Sequence, residues 1–150
     1  MKNKEIQEII ERILEAMDIS GEVEITEEEA IKTRRFHVKT EQAHLLIGNN
    51  GTHLAALSHI VRKIVEKKLG EDAKEGFILD VNDYQSKKIA ELKQKTDLLA
   101  ERVRYFKMDV EMEPMPAYER MMVHAILTSA PWVKTESTGE GKMRRVVVKY

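Results

Sequence analysis

The sequence predicts an α/β protein made of two small domains. Residue patterns over 1–82 indicate the order helix, strand, strand, helix, helix, strand, with the glycine pair of GNNG (48–51) between the two adjacent helices. A long helical stretch, 83–106, begins where the last of these strands stops, and a shorter helix and a basic hairpin follow. We therefore assign the domains to 1–82 and 83–150 and expect the long helix to join them.

The first predicted helix covers residues 4–17 and is followed by two strands. Ser20-Gly21 ends it. Its apolar residues recur every three or four positions and predict a core-facing side, namely Ile6, Ile9, Ile10, Ile13, Leu14 and Met17. Alternating residues over 23–29 and 30–40 then predict the strands. The second strand has an apolar and a polar face, formed by Phe36 and Val38 on one side and Arg35, His37 and Lys39 on the other.

Two adjacent helices surround GNNG. A short helical piece, QAHLLI, leads into this loop, and a longer helix follows over 52–69, with Gly70 at the position of a helix end. The apolar residues of the longer helix share one face, namely Leu54, Leu57, Val61, Ile64 and Val65. GFILDVN (76–82) is short and apolar, which predicts a buried strand.

The second predicted domain begins with the long helix. Its inner stripe consists of Ile89, Leu92, Leu99, Val103 and Phe106. VEMEPMP (110–116) is extended and ends in two prolines. A short helix from Tyr118 can turn apolar residues inward, namely Met121, Met122, Val123, Ile126 and Leu127. VKTEST, a GEG turn and MRRVVVKY then predict a two-stranded hairpin.

Composition indicates a folded cytoplasmic protein without disulfides. The chain is 42% hydrophobic and 34% charged, which allows a packed core beneath a hydrated surface. It has no cysteine, no apolar run of about eighteen residues and no signal-peptide core, so we expect no disulfide framework and no direct membrane insertion. Net charge is −4 over 1–80 and +3 over 81–150, so nucleic-acid binding would depend on local basic patches.

Arg120 and His124 are four residues apart, so both project from one face of the predicted helix. They pair a permanent cation with a ring that forms hydrogen bonds and can take up a proton. The hairpin adds the hydroxyls of Thr135 and Ser137. It also carries more cations than acids, with Lys134, Lys142, Arg144, Arg145 and Lys149 against Glu136 and Glu140. Guanidinium, imidazole, hydroxyl and glycine-loop N–H groups together suit a phosphate.

The GNNG loop has a second set of features that suit a phosphate. Its glycines allow a tight turn and the close approach of a sugar-phosphate chain. The helix that begins near Thr52 adds N–H donors and a partial positive charge at its N-terminus, and Thr52 is a candidate N-cap. Asn49 and Asn50, between the glycines, offer amide groups but no charge.

These two stretches resemble a known protein family. Arg-x-x-x-His within PMPAYERMMVHAIL, followed by VKTESTGEG and RRVVV, resembles the single-stranded nucleic-acid-binding domain named for that spacing, the R-3-H domain. I-G-x-x-G-x-x-L between two helices resembles the GxxG loop of KH domains, and the element order resembles their type II variant. Over roughly residues 22–150 the chain is similar to the bacterial Jag (SpoIIIJ-associated) family. We expect the N-terminal domain of longer Jag proteins to be absent.

The resemblance implies a non-enzymatic protein that binds single-stranded RNA, with DNA as the second choice. It implies a groove between the helix pair and strand 30–40, with Ile47 and Leu54 as its floor and Arg35, His37 and Lys39 near its rim. The residues expected to contact nucleic acid are Arg35, Lys39, Ile47, Gly48, Asn49, Asn50, Gly51, Leu54, Arg120, His124, Ser137, Lys142, Arg144 and Arg145. No metal or cofactor is expected. Four to six phosphate contacts would give a log–log salt slope of about −3 to −4.

Several of these features allow a second interpretation. GNNG could be a simple tight turn, and His124 could tie its helix to the hairpin. Trp132, the only tryptophan, could stack on a base or fill the core. His37, His44 and His53 match no metal-ligand spacing. The chain as a whole could be a protein-interaction adaptor with Jag-family partners in a cell-envelope or membrane-insertion pathway, because its net charge is only −1.

Overall fold

A computed structural model, which describes residues 2–74 and 76–150, shows two separate three-stranded sheets with helices. The predicted α/β class is confirmed. The chain divides into two units, Met1–Lys87 and Lys88–Tyr150, which we call unit 1 and unit 2. Within the described residues no helix has both the length and the hydropathy that a membrane crossing requires.

Unit 1 contains the helix–strand–strand–helix–helix–strand order that the sequence predicts. Its elements are α1 (Lys2–Ala16), β1 (Glu22–Glu28), β2 (Thr33–Lys39), α2 (Ala43–Ile47), a 3-10 turn (Asn49–Gly51), α3 (Thr52–Leu69), a 3-10 turn (Glu71–Lys74) and β3 (Phe77–Val81). The sheet order is β1-β2-β3, with β1 antiparallel and β3 parallel to the central strand. A parallel pair needs a crossover connection, and α2 and α3 provide it.

One face of the unit 1 sheet carries the core. Phe36 and Val38 of β2 are fully buried there, together with Leu46 of α2 and Leu54 of α3. The ring of Phe36 meets that of Phe77 edge to face at 5.4 Å between centroids. Each such buried apolar side chain contributes about 1.5–3 kcal/mol relative to exposure, so this face fixes where the helices pack.

A charged network fixes the end of unit 1. Asp80 of β3 is completely buried, and its carboxylate accepts the backbone N–H groups of Gln85 and Ser86 at 2.7 and 3.1 Å. Arg35 of β2 donates from Nε to the same carboxylate at 2.9 Å and from Nη2 to Asp83 at 2.5 Å. These bonds hold the start of the next helix against the sheet. Unit 1 therefore extends to Lys87, a few residues beyond the predicted limit at 82.

Unit 2 combines two helical segments with the second sheet. The elements are α4 (Tyr84–Phe106, which begins in unit 1), β4 (Val110–Glu111), α5 (Ala117–Leu127), β5 (Lys134–Thr138), a 3-10 turn (Gly141–Met143) and β6 (Arg145–Lys149). The sheet order is β4-β6-β5 and both pairings are antiparallel. Val146 and Val148 of β6 are fully buried, and they pack with Val103 of α4 and with Val123 and Leu127 of α5.

Three apolar residues predicted to face a core are exposed instead. Phe106 is 64% exposed, Met121 is 47% exposed and Met17 is 47% exposed. Phe106 is the last residue of α4 and Met17 follows the last residue of α1, so each lies at a helix end. Met121 lies on the exposed side of α5, next to the fully buried Met122. Helical spacing gives the direction of a side chain, but it does not determine whether another element covers it.

Candidate nucleic-acid interface

Helix α5 places Arg120 and His124 on one face, as their spacing predicts. Its first turn follows Pro116, which has an extended backbone, and the Arg120 N–H bonds to the Pro116 carbonyl at 3.0 Å. Val123 and Leu127 bury the opposite side of the helix in the core of unit 2. Arg120 and His124 are each partly exposed, so the core positions of α5 fix the direction in which they project.

His124 bonds through both ring nitrogens to strand β5. Nδ1 lies 2.6 Å from Thr135 Oγ1, and Nε2 lies 3.1 Å from Ser137 Oγ. Thr135 and Ser137 pair with Val148 and Val146 in the sheet, so all four side chains share the face on which α5 packs. The ring therefore ties the helix to the hairpin, which is one of the two interpretations that the sequence left open.

The protonation of His124 determines what its partners can do. Burial, and then the charge of Arg120, lower the pKa of His124 below its ordinary value of 6.5. The neutral ring has one N–H donor and one acceptor nitrogen, so one hydroxyl donates to the ring and the other accepts from it. The accepting hydroxyl keeps its own O–H proton for another acceptor. His124 thus acts by orienting hydroxyls rather than by supplying positive charge.

Hydrogen bonds bring Arg120 and Arg144 to the same corner of unit 2. Arg120 Nη1 donates to the Met115 carbonyl at 2.8 Å, and the Met115 N–H donates to the Arg144 carbonyl at 3.2 Å. Arg144 Nη1 in turn donates to the Gly139 carbonyl at 2.8 Å, two residues beyond Ser137. Among the described residues neither guanidinium forms an ion pair, so most of its N–H donors are unused. We call Arg120, His124, Thr135, Ser137 and Arg144 the Arg/His cluster.

Arg145 does not join the Arg/His cluster. It pairs with Thr138 in the sheet and therefore lies on the face opposite Ser137. There its Nε donates to Glu111 at 3.1 Å, and Lys149 on the same face lies 2.5 Å from Glu136. The sequence grouped these cations because they are close along the chain, but strand alternation separates them. Lys142 is exposed in the turn between β5 and β6.

The GNNG loop of unit 1 has the backbone that the glycines predict. Gly48 and Gly51 have φ of +71° and +77°, and Asn50 between them also has a positive φ. A Cβ on Gly48 would collide with the His53 ring, so both this contact and the positive φ disfavour a larger residue there. Asn49 and Asn50 are exposed at the tip of the loop.

The start of α3 differs from the prediction in one detail. Gly51, rather than Thr52, occupies the N-cap position, and among the described residues no side-chain capping bond forms there. Thr52 is the first helical residue, and its hydroxyl donates to the Asn49 carbonyl at 2.9 Å. This bond stabilises the loop. Because the Thr52 hydroxyl is used in it, it does not cap the first backbone N–H groups of α3.

The predicted groove residues do not all lie together. Leu54 is fully buried in the core of unit 1, so it cannot form an exposed floor, whereas Ile47 is partly exposed beside the loop. Arg35 and Lys39 lie on the sheet face opposite Phe36 and Val38, which is the face away from α2 and α3. Their placement at the rim of a groove beside these helices is therefore wrong.

Both cations of that sheet face already have carboxylate partners. Arg35 is 8% exposed and binds Asp80 and Asp83, and Lys39 binds Glu24 at 3.0 Å. The buried pair withholds Arg35 from a phosphate, whereas the exposed pair of Lys39 only offsets its charge. The sequence could not reveal the buried pair, because Asp80 is 45 positions from Arg35.

The sequence left two interpretations open for Trp132, base stacking or a place in the core, and did not count it among the expected contacts. Trp132 is 39% exposed, and the Arg104 guanidinium lies over its ring at 4.9 Å from the centroid. The run RVRYFK (102–107), which mixes aromatic and basic residues, is a sequence signal that could have pointed to this surface.

The histidines of unit 1 have local partners. His37 Nε2 accepts the Asp83 N–H at 3.2 Å, and His53 Nδ1 lies 3.0 Å from the Leu45 carbonyl. In the part of the chain that the structure describes, no three His, Asp or Glu side chains gather in a way that could hold a metal ion.

Comparison with known proteins identifies the segment that carries the Arg/His cluster. The R-3-H domain family matches residues 90–150, so an R-3-H domain is present. The chain is 33% identical to the RNA-binding protein KhpB of Bacillus subtilis (strain 168) over 134 residues, which are 88% of this chain and 64% of the relative. It is 28% identical to the RNA-binding protein KhpB of Clostridium symbiosum over 94% of this chain and 63% of the relative. The chain thus spans less than two thirds of the length of these relatives.

Proposed function

From the presence of an R-3-H domain and the similarity to proteins named for RNA binding, we propose that this chain binds single-stranded RNA and is not an enzyme. Single-stranded DNA is the second choice of ligand. The R-3-H domain supplies one contact surface. Unit 1, for which the sequence predicts a KH domain over 1–82, supplies a second through its GNNG loop.

The observation that carries the proposal is the Arg/His cluster. Two guanidinium groups without carboxylate partners among the described residues lie at one corner of unit 2, next to a pair of hydroxyls held by His124. Guanidinium groups bind phosphate through paired, charged N–H donors. A hydroxyl adds a hydrogen bond without charge. Lys142 lies in the adjoining turn and is exposed. We assign phosphate contact to Arg120, Arg144, Ser137 and Lys142.

The GNNG loop is the proposed contact of unit 1. Its glycines keep the backbone accessible, and two exposed amides occupy the tip. Within the part of the chain that the structure describes, no side-chain capping bond is made at the start of α3. Backbone N–H groups at a helix N-terminus favour an anion, and Asn amides donate hydrogen bonds to phosphate oxygens. Ile47 lies beside the loop as an apolar contact for a sugar or base. Because the loop itself carries no cation, we expect it to bind more weakly than the Arg/His cluster.

A protein-interaction adaptor is the second candidate, and ion pairing favours it. Three of the basic side chains expected to contact nucleic acid, namely Arg35, Lys39 and Arg145, each contact a carboxylate, so fewer cations than expected are unpaired. Lys149 of the same hairpin is also paired, with Glu136. An adaptor would keep both folds but would bind RNA only weakly, even at low salt.

Titration of labelled single-stranded RNA with the full chain, at low and at moderate salt, separates the two candidates. The wild type should bind at low salt, and Arg120→Ala should weaken binding by about 1–3 kcal/mol for loss of a charge-assisted contact. Arg12→Ala is the matched control, because it removes the same group from an exposed position of α1. Binding that is undetectable for the wild type at low salt, with the fold intact, would contradict the proposal and support the adaptor.

A further inference from the structure

Aromatic side chains lie in solvent around the C-terminal end of α4. Tyr105 is 81% exposed and Phe106 is 64% exposed, and their rings meet edge to face at 5.0 Å between centroids. Trp132 is 39% exposed, with the Arg104 guanidinium over one side of its ring. Side chains of this size usually supply a core or an interface. We call Arg104, Tyr105, Phe106 and Trp132 the aromatic patch.

Arg104 and Trp132 form a cation–π pair, with the guanidinium carbon 4.9 Å from the ring centroid. Guanidinium and indole are each flat, and guanidinium is weakly hydrated, so a further planar group can stack on either of them. Bases of single-stranded RNA stack both on aromatic rings and on guanidinium planes. Arg104 is itself exposed and, within the described residues, has no carboxylate partner that would cover it. The pair is therefore suited to a flat ligand rather than to an aliphatic one.

The charge around the aromatic patch favours nucleic acid over a protein as its occupant. Over residues 101–109 the exposed cations Arg102, Arg104 and Lys107 outnumber the exposed acids Glu101 and Asp109, and unit 2 holds 12 Lys/Arg against 9 Asp/Glu. A protein that covered the rings would have to remove these cations from water or supply acids to match each of them. A single strand of RNA brings phosphates and unstacked bases together, which matches cations that alternate with aromatic rings.

We propose that the aromatic patch is a base-stacking surface for unpaired bases of single-stranded RNA, separate in its chemistry from the phosphate contacts of the Arg/His cluster. The inference depends on the proposed RNA binding and names the part of the ligand that this second surface of unit 2 contacts. Bases stack on the Arg104–Trp132 pair and on the exposed rings of Tyr105 and Phe106. Stacking is tolerant of sequence, because every base has a π face.

The only tryptophan of the chain is part of the aromatic patch, so its fluorescence reports on the proposal directly. We would titrate the full chain with single-stranded RNA and with an abasic oligomer of equal phosphate number, and follow both Trp132 emission and the anisotropy of labelled RNA. RNA should quench Trp132, and the abasic oligomer should not. The double variant Tyr105→Ala/Phe106→Ala should bind RNA about 5- to 100-fold more weakly. Its affinity for the abasic oligomer should be unchanged.

Leu98→Ala is the matched control, because Leu98 is also an apolar side chain exposed on α4, at 56%, but lies outside the aromatic patch. It should bind RNA as the wild type does. If RNA binds by anisotropy while Trp132 emission and the affinity of the double variant are unchanged, the stacking inference is overturned and the proposed function remains. Equal quenching by the abasic oligomer also overturns it. Absence of RNA binding by the wild type removes both proposals.

Discussion

The dependence of RNA affinity on salt measures how many phosphates the Arg/His cluster contacts. Each phosphate contact to a single strand contributes about −0.7 to the log–log slope. The sequence alone suggested four to six contacts, but Arg35, Lys39 and Arg145 already have carboxylate partners. Arg120, Lys142 and Arg144 remain as cations near the cluster. Their joint contribution to the slope should therefore be about −2.

The assay compares slopes between variants rather than absolute affinities. RNA anisotropy is measured from about 50 to 200 mM KCl, where the counterion effect is large. Replacing Arg120, Lys142 and Arg144 together by alanine should make the slope less steep by about 2, and Arg120→Ala alone by about 0.7. Arg145→Ala removes an equal charge from the opposite face of the sheet, where Glu111 already pairs with it, and should change the slope little.

Two results would refute this reasoning. In the first, Arg145→Ala reduces the salt slope as much as Arg120→Ala does. Ion pairing with a surface carboxylate would then not keep a cation from contacting RNA. A triple variant with the wild-type slope and affinity, and with an intact fold, would remove the Arg/His cluster from the interface.

Three further predictions concern stability and the loop. Asp80→Asn should destabilise the chain by about 3–5 kcal/mol in denaturant titrations. It removes the buried negative charge opposite Arg35 and leaves Asp83 as a carboxylate partner. The lowered pKa of His124 means that the unfolded chain takes up its proton more readily, so the stability of unit 2 should be fully present above about pH 6.5 and fall below it. Trp132 fluorescence would follow that unfolding, since this residue lies in unit 2. Changing Asn49 and Asn50 to Asp should weaken RNA binding, and changing both to Lys should strengthen it, by anisotropy.

Each of these predictions has a control. Asp97→Asn breaks an exposed pair with Lys93 and should change the free energy of unfolding by less than about 1 kcal/mol, so a similar loss in Asp80→Asn would contradict the buried network. His124→Asn should reduce the loss of stability below pH 6.5, and an unchanged pH profile would assign that loss to other groups. Equal RNA affinity of both loop variants at low salt would show that the loop is not used.

The order of elements and the loop geometry could be predicted from the sequence, because both depend on near neighbours. Apolar spacing located the helices and strands of both units, and the glycines of GNNG have the positive φ that their type permits. The four-residue spacing of Arg120 and His124 also put them on one helix face. In each case the deciding interactions span a few residues of the chain.

Only the tertiary structure decided which of the predicted site residues are available. The side of the sheet on which α2 and α3 pack buried Leu54 and placed Arg35 and Lys39 on the opposite face. Likewise, the partners of His124 lie 11 and 13 residues away on β5, and Arg35 meets a carboxylate 45 residues away. Helical and strand periods give directions relative to one backbone. Whether a side chain can contact phosphate depends on which residues a distant segment places against it. A cation is most available where no carboxylate neutralises it and no core covers it.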